Sequence, residues 1–379
     1  MYEIVNEGKA VIRIKKTGKI SKGMEVFYNP IMKLNRDISI LLLDSMDKRE
    51  MQIALPLAGS GVRGIRFLKE LKKNKIKTIN FNDYNKKAIE SIKNNLKLNK
   101  INNFTIIKNS INKSNNNEDD DGKTKIMICN EDANLFLLNS QGFDYIDIDP
   151  FGTSNPYLDS AVKRISRNGV LAVTNTDTAA LTGTYPKAGI RKYWSMQKKD
   201  YMMHETGLRI LIRKIQLVGM QYEKALIPIF SYFKNHYFRV FFECVKGKKL
   251  CDEIALGHGM FNEAGPLWTG NLWNKRLINK MYGSLLRNIN KKILTKKNNQ
   301  NNNKELLKFL KIIKEESKLN VVGFYDMHKT AKKRGLNTTT RKEEVIRRIN
   351  KKGYKAANTH FSGTGIRTDI AYEKFLKLL

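Results

Sequence analysis

At 379 residues with 41% hydrophobic content, the chain exceeds one average domain and can bury more than one core. Its 70 Lys and Arg against 36 Asp and Glu leave a formal charge of +34, which points to a polyanionic partner, nucleic acid first, bound with release of counterions. Cys129, Cys244 and Cys251 form no CxxC pair, which excludes a disulfide framework or a four-sulfur zinc site and reads as free thiols of a reducing compartment. No uninterrupted run of 18 apolar residues and no signal-peptide pattern occurs, so the expectation is a soluble cytoplasmic protein, a monomer with no membrane and no metal to bind.

Alternation at Ala10-Val11-Ile12-Arg13-Ile14 predicts an antiparallel β element within the first 30 residues, and 39–46 reads as a helix. Strand and helix patterns then alternate: 52–57 and 62–72, 78–82 and 86–98, 125–129 and 133–138, 145–149 and 157–165, then a strand at 170–174. Repetition of this kind predicts a doubly wound, mostly parallel α/β sheet covered on both faces. A helix at 204–217 and strands at 224–233 and 237–245 complete a domain spanning 1–250. It is interrupted at 108–125 by an Asn, Asp and Ser tract too polar to bury.

From 251 to 379 the pattern predicts a smaller basic α/β domain suited to RNA. Helices are expected at 274–288, 304–317 and 326–334, with a polar tract at 296–303 in a loop between two of them. Thr340-Arg341-Lys342-Glu343 has the form of a capping box opening a helix to 352, and 354–361 reads as extended. The pair of helices around 335–339 suggests a helix-turn-helix or RNA-docking unit, against the plainer reading of a packing domain with a solvated basic face.

Four loops at the carboxyl ends of successive strands carry candidate chemistry, and open α/β sheets bind ligands at that rim. Pro56-Leu57-Ala58-Gly59-Ser60-Gly61-Val62-Arg63-Gly64 permits close backbone approach at a helix N-terminus. Asp83 ends the next strand, where a carboxylate would hold the two hydroxyls of a ribose, and Glu131-Asp132-Ala133-Asn134 closes the third, suited to an adenine edge. The turn is not GxGxxG and no GxxxxGK[ST] loop exists, which favours a nucleoside cofactor, S-adenosylmethionine, over NAD or ATP. The fourth loop is Asp147-Ile148-Asp149-Pro150-Phe151-Gly152: a carboxylate and a carbonyl to accept from an amine, and an aromatic face to hold a flat base. An ordinary strand-end turn would also use Asp-Pro and Phe-Gly. His204 and His236 read as structural, and Trp268 and Trp273 as packing residues.

These motifs, with Phe27-Tyr28-Asn29-Pro30, Leu34-Asn35-Arg36-Asp37, Thr176-Asp177, Arg191-Lys192-Tyr193, His236-Tyr237-Phe238-Arg239, Gly265-Pro266-Leu267-Trp268 and Thr359-His360-Phe361, resemble the tRNA guanine-N2 dimethyltransferases, and most their archaeal members, over nearly the whole chain. The resemblance implies a class I S-adenosylmethionine-dependent methyltransferase fold and transfer of two methyls to the exocyclic N2 of guanine 26 of tRNA. It implies cofactor contacts from Phe27, Arg36, Arg63, Asp83, Asp132 and Ala133. Asp149, with the Pro150 carbonyl, would orient the amine, Phe151 would stack the base, and Asp37 would add a second carboxylate. One departure stands out: the family usually carries an acid where this chain has Leu55. An adenine-N6 methyltransferase uses a similar loop with a second proline and then an aromatic, where this chain has Phe151 and Gly152. A tRNA-binding protein without catalysis is the third reading.

Overall fold

The strands of the main sheet are apolar on both faces because helices cover both. Ile53, Ile79, Phe81, Ile128, Ile146, Ile148, Leu171 and Val173 are all fully buried. The structure, a computed structural model, describes residues 2–15, 24–107, 123–294, 300–335 and 340–379.

The elements of the first part, in chain order, are β1 (Tyr2–Glu7), β2 (Ala10–Lys15), α1 (Lys33–Ser45), β3 (Met51–Leu55), α2 (Val62–Glu70), β4 (Ile76–Asn82), α3 (Lys86–Leu98) and β5 (Thr105–Ile107). They continue with β6 (Lys125–Cys129), α4 (Ala133–Leu138), β7 (Phe143–Ile148), α5 (Leu158–Arg164) and β8 (Ile165–Asn175). Then follow α6 (Thr178–Leu181), α7 (Pro186–Tyr193), α8 (Met203–Met220), β9 (Lys224–Lys234), β10 (Tyr237–Lys246), α9 (Lys248–Leu256), β11 (His258–Phe261) and β12 (Ala264–Trp268). The last are α10 (Lys275–Leu294), α11 (Gln300–Glu316), β13 (Tyr325–Asp326), α12 (Met327–Lys333), α13 (Lys342–Lys351), β14 (Ala356–Asn358), β15 (Gly365–Thr368) and α14 (Tyr372–Leu376).

The chain divides into two compact units. One holds Met1–Thr176, Val218–Ile227 and Phe241–Leu250, the other Asp177–Leu217, Pro228–Val240 and Cys251–Leu379. A single boundary at 250 is therefore replaced by an interleaved division. Sequence patterning follows chain order, whereas compactness follows which segments bury one another.

In the first unit β1 and β2 pair antiparallel, Tyr2 opposite Lys15 and Glu7 opposite Ala10. Two asparagines of α3 and its C-terminus hold this ribbon: the Val11 amide donates to Asn99 Oδ1 at 2.9 Å and the Arg13 amide to Asn95 Oδ1 at 2.7 Å. The large sheet has the order β5-β6-β4-β3-β7-β8-β10-β9, and its β5-β6-β4-β3-β7-β8 stretch is parallel throughout. Strand order runs one way from β3 through β4 and the other way from β7 through β8. The switch point between β3 and β7 is where a ligand crevice opens at the carboxyl rim. The expected class I methyltransferase architecture is present, with β5 as an additional edge strand. Of the polar tract at 108–125, residues 108–122 lie outside the described residues, and Lys125 already belongs to β6.

In the second unit, β13, β15 and β14 form a small antiparallel sheet beside a core of Met327, Val345, Ile349, Ile366, Ile370, Phe375 and Leu378. Two local expectations are corrected. The tract at 296–303 is not all loop, since α11 begins at Gln300, and 295–299 lie outside the described residues. Thr340 does not cap α13. Arg341 occupies that position with no side-chain cap, and the Thr340 hydroxyl donates instead to the Leu379 carbonyl at 2.8 Å, a tertiary partner that local spacing cannot anticipate. Among the described residues no helix is long and apolar enough to cross a membrane, and no group of three or more His, Cys, Asp or Glu is placed to hold a metal.

Candidate active site

Backbone permissiveness sets the first wall of the site. After β3 the chain turns through Gly61, whose φ of 78° is left-handed and which precedes α2. Three residues on, a Cβ at Gly64 would meet the Phe81 ring at 2.2 Å, so α2 packs on β4 only because that position lacks a side chain. A hollow opens at this turn, lined by Phe27, Tyr28, Asn29, Arg36, Leu55, residues 57–60, Val62, Arg63, Asp147 and Asp149.

The opposite wall comes from β7. Strand periodicity places Tyr145, Asp147 and Asp149 on one face, and all three converge on the start of α2. Arg63 is ion-paired to Asp149, stands 3.4 Å from Asp147 Oδ2 and donates to Ser39 Oγ at 3.0 Å. The Tyr145 hydroxyl donates to Asp147 at 2.5 Å. A cation in the first turn of a helix works against the helix dipole, and here the two aspartates outweigh that penalty. Both aspartates line the hollow, but Asp147 is buried whereas the Asp149 side chain keeps 20% exposure, so its carboxylate is the more open of the two.

At the lip, the rings of Phe27 and Phe151 meet edge to face with centroids 4.2 Å apart, and Phe151 is 40% exposed. Gly152 is anchored to Thr176 through reciprocal bonds of 2.7 and 2.9 Å, which fixes the Pro150-Phe151 turn. Among the described residues no donor reaches the Pro150 carbonyl.

Arg36 reaches the hollow from α1 while its guanidinium is gripped by Glu7 at 2.6 and 2.5 Å and donates to the Asn29 carbonyl at 3.0 Å. Glu7 also accepts from Arg66 at 3.0 Å and from the Tyr28 hydroxyl at 3.0 Å. Burial opposes its ionisation, but the Arg36 and Arg66 guanidiniums outweigh that and hold the Glu7 carboxyl below the ordinary glutamate range. Asp37 does not join the hollow. Arg66 and Lys33 both bind its carboxylate at 2.6 Å, so the expected second carboxylate at the amine is not where the sequence suggested. Adjacent residues on a helix face different directions, and Arg36 alone points to the site.

The remaining candidates sit on neighbouring strand ends. Asp83 accepts from the Gly59 amide and the Asn85 amide, both at 2.9 Å, and burial pushes its carboxyl up. Asp132 caps α4, accepting from Asn134 and Leu135 at 2.9 and 3.2 Å, and Ala133 is buried behind it. Asn82, fully buried, clasps these loops together: its amide donates to the carbonyls of Pro56 and Glu131 at 3.0 Å each, and its oxygen accepts from the Glu131 amide at 3.1 Å. Sequence reasoning gave no role to Asn82, Asp147, Tyr145 or Glu7. Tyr157 is a further omission: burial, and then the charges of Asp132 and Asp83, push its phenol up. A polar residue inside an apolar strand run was the available signal for Asn82 and Asp147; nothing local marked Glu7.

A doubly wound sheet with a glycine turn, an acid at the end of the next strand and a strand-end Asp-Pro-aromatic loop around one switch point defines a class I S-adenosylmethionine-dependent methyltransferase. The match to known proteins is narrower than the class. The description "N2,N2-dimethylguanosine tRNA methyltransferase" fits residues 8–261 and 255–379, and the chain belongs to that family. It is 35% identical to the tRNA (guanine(26)-N(2)/guanine(27)-N(2))-dimethyltransferase of Aquifex aeolicus, over 99% of this chain and 95% of that one. It is 34% identical to the tRNA (guanine(26)-N(2))-dimethyltransferase of Methanocaldococcus jannaschii, over 99% and 98%. The solved complex of Trm1 from Pyrococcus horikoshii with S-adenosyl-L-methionine superposes with a TM-score of 0.81 at 32% identity, covering 99% of both chains.

Proposed function

We propose that this chain dimethylates the exocyclic N2 of guanine 26 of tRNA with S-adenosyl-L-methionine, one methyl after the other. The observation that carries the reading is the Asp149 carboxylate, held by Arg63 at the mouth of the hollow beside the glycine turn and next to the exposed Phe151. Within that hollow Arg36 and Arg63 suit the carboxylate end of the cofactor, Phe27 its rim, Asp83 the ribose diol, and Asp132 with Ala133 the adenine. Bound there, the cofactor supplies a methyl on a sulfonium that is already electrophilic.

The chain's own residues then orient and disperse charge. Asp149 and the Pro150 carbonyl accept from the amine, turning its nitrogen toward the methyl and balancing the positive charge that grows on it. Phe151 stacks the guanine, which has to leave its place in the tRNA to reach the pocket. Asp37 is assigned to holding Arg66 rather than the amine. The residues from 251 onward, rich in Lys and Arg, grip the tRNA backbone. The same reading has the protein act as a monomer in the cytoplasm, consistent with three buried cysteines that form no disulfide.

Leu55, buried in the hollow where the family usually has an acid, favours one competing reading: a tRNA binder without cofactor affinity. Calorimetry with the cofactor separates the two, since tRNA affinity without cofactor binding supports the binder. Nucleoside analysis of unmodified tRNA incubated with enzyme and cofactor is expected to yield N2,N2-dimethylguanosine at position 26. N6-methyladenosine in its place would sink the proposal. Asp149→Ala is expected to keep cofactor and tRNA binding and to lose turnover.

A further inference from the structure

The segment 178–199 carries five cations, Lys187, Arg191, Lys192, Lys198 and Lys199, of which Lys192 pairs with Asp177 and Lys198 with Glu263, each at 2.9 Å. All five are exposed. Along α7 and its cap, Lys187, Ile190, Arg191 and Trp194 follow the i, i+3, i+4, i+7 spacing of one helical face. Trp194 is 51% exposed.

Its backbone makes this exposure unusual. Trp194 ends α7 in the left-handed conformation, φ 56° and ψ 41°, with its amide bonded to the Ile190 carbonyl at 3.0 Å. That position is a glycine's by preference, and a bulky side chain there is strained. Strain retained at an exposed position suggests that the ring is wanted for contact. The ring is also braced from α8: Lys214, itself buried, places Nζ 3.0 Å from the indole centroid, and Arg213 donates to the Trp194 carbonyl at 3.3 Å.

We propose that Trp194, backed by Lys214 and flanked by Lys187 and Arg191, is a stacking contact for an unpaired base of the RNA substrate. A flat, pre-positioned aromatic ring flanked by Lys187 and Arg191, exposed cations that no acid pairs among the described residues, suits a base and its phosphates better than a protein partner. The inference rests on the RNA substrate assigned above and adds a contact in the second unit.

The test uses the full-length protein and a tRNA transcript. Trp194→Gly relieves the left-handed backbone, so thermal stability is expected to hold or rise, with cofactor affinity unchanged and tRNA affinity lowered about tenfold. Trp194→Leu, which keeps the cap backbone of an L residue, is expected to lose the same affinity, and Trp194→Phe to keep most of it. Arg191→Ala should reduce the slope of log affinity against log salt by about one. The result that overturns the proposal is a Gly or Leu variant binding tRNA as tightly as the wild type, or a Phe variant as weak as the Leu one. A wild type that binds tRNA through Trp194 but makes no methylated guanine would instead sink the reaction and leave this contact standing.

Discussion

Each unit buries an arginine between two acids, and the two arrangements differ in one respect: whether water can reach them. In the second unit Arg367 makes five hydrogen bonds, to Glu205 at 2.6 and 3.1 Å, to Glu316 at 2.9 Å and to the carbonyls of Val321 and Gly323 at 2.7 and 3.1 Å. Glu205 also binds Arg209 at 2.9 Å, and Glu316 accepts from Thr359 at 2.5 Å and binds His360 Nδ1 at 2.6 Å. Arg367, Glu205 and Glu316 are wholly enclosed. In the first unit Arg63 bridges Asp147 and Asp149, but Asp149 is partly open to the hollow. A sealed, fully satisfied network fixes a fold; one with a carboxylate at a cavity mouth can exchange a partner for a ligand.

The largest expected effect breaks the sealed side. Arg367→Met leaves Glu205 and Glu316 short of their shared cation and is expected to cost about 3–5 kcal/mol, read as a drop in the denaturant midpoint. An unmoved midpoint would mean that Arg209 and His360 compensate. On the open side Asp149→Asn keeps the shape and one acceptor oxygen. Turnover should fall about 10²–10³-fold with little change in Tm, and equal losses of stability in the two variants would erase the contrast between the networks.

Acid sharpens the comparison. Burial opposes the ionisation of Glu316, yet His360 and Arg367 hold its carboxyl down at about 2. Glu205, buried and then countered by Arg367 and Arg209, is also lowered, as is Glu7 in the first unit. Carboxyls lowered on folding add stability that is complete above the unfolded glutamate value, about 4.3, and is lost as pH falls through the folded values. Circular dichroism should therefore keep a folded signal at pH 5 and lose it on descent from about 4 toward 2. Unfolding already at pH 5 would contradict these pairings. The smallest effect concerns Asp132: Asp132→Ala should cost about 1 kcal/mol as a lost helix cap, while Asp132→Asn keeps the cap. Weaker cofactor binding in Asp132→Asn would then report a ligand contact, and unchanged binding would leave Asp132 a cap only.

The sequence by itself determined the alternation of strands and helices from β3 to β8 apart from the edge strand β5, the four loops at the strands' carboxyl ends and the Asp149-Pro150-Phe151-Gly152 turn, but not α6, α7, α9, β11 or β12. Apolar periodicity and glycine or proline punctuation are local signals, so α3 and β6 were legible to the residue and α8, β9 and β10 within a few. His204 and Trp273 likewise read correctly as packing groups, the first stacked on Phe233 at 3.9 Å and the second bonded to Ser231 at 2.8 Å. Only the tertiary structure decided that Glu7 grips Arg36, that Arg66 takes Asp37 away from the pocket, that Asn82 ties three loop ends, and that Arg367 meets Glu205 across 162 residues of chain. Those partners are chosen by topology: a buried charge takes the opposite charge that folding brings beside it, and nothing in either residue's own neighbourhood along the chain encodes which one that is.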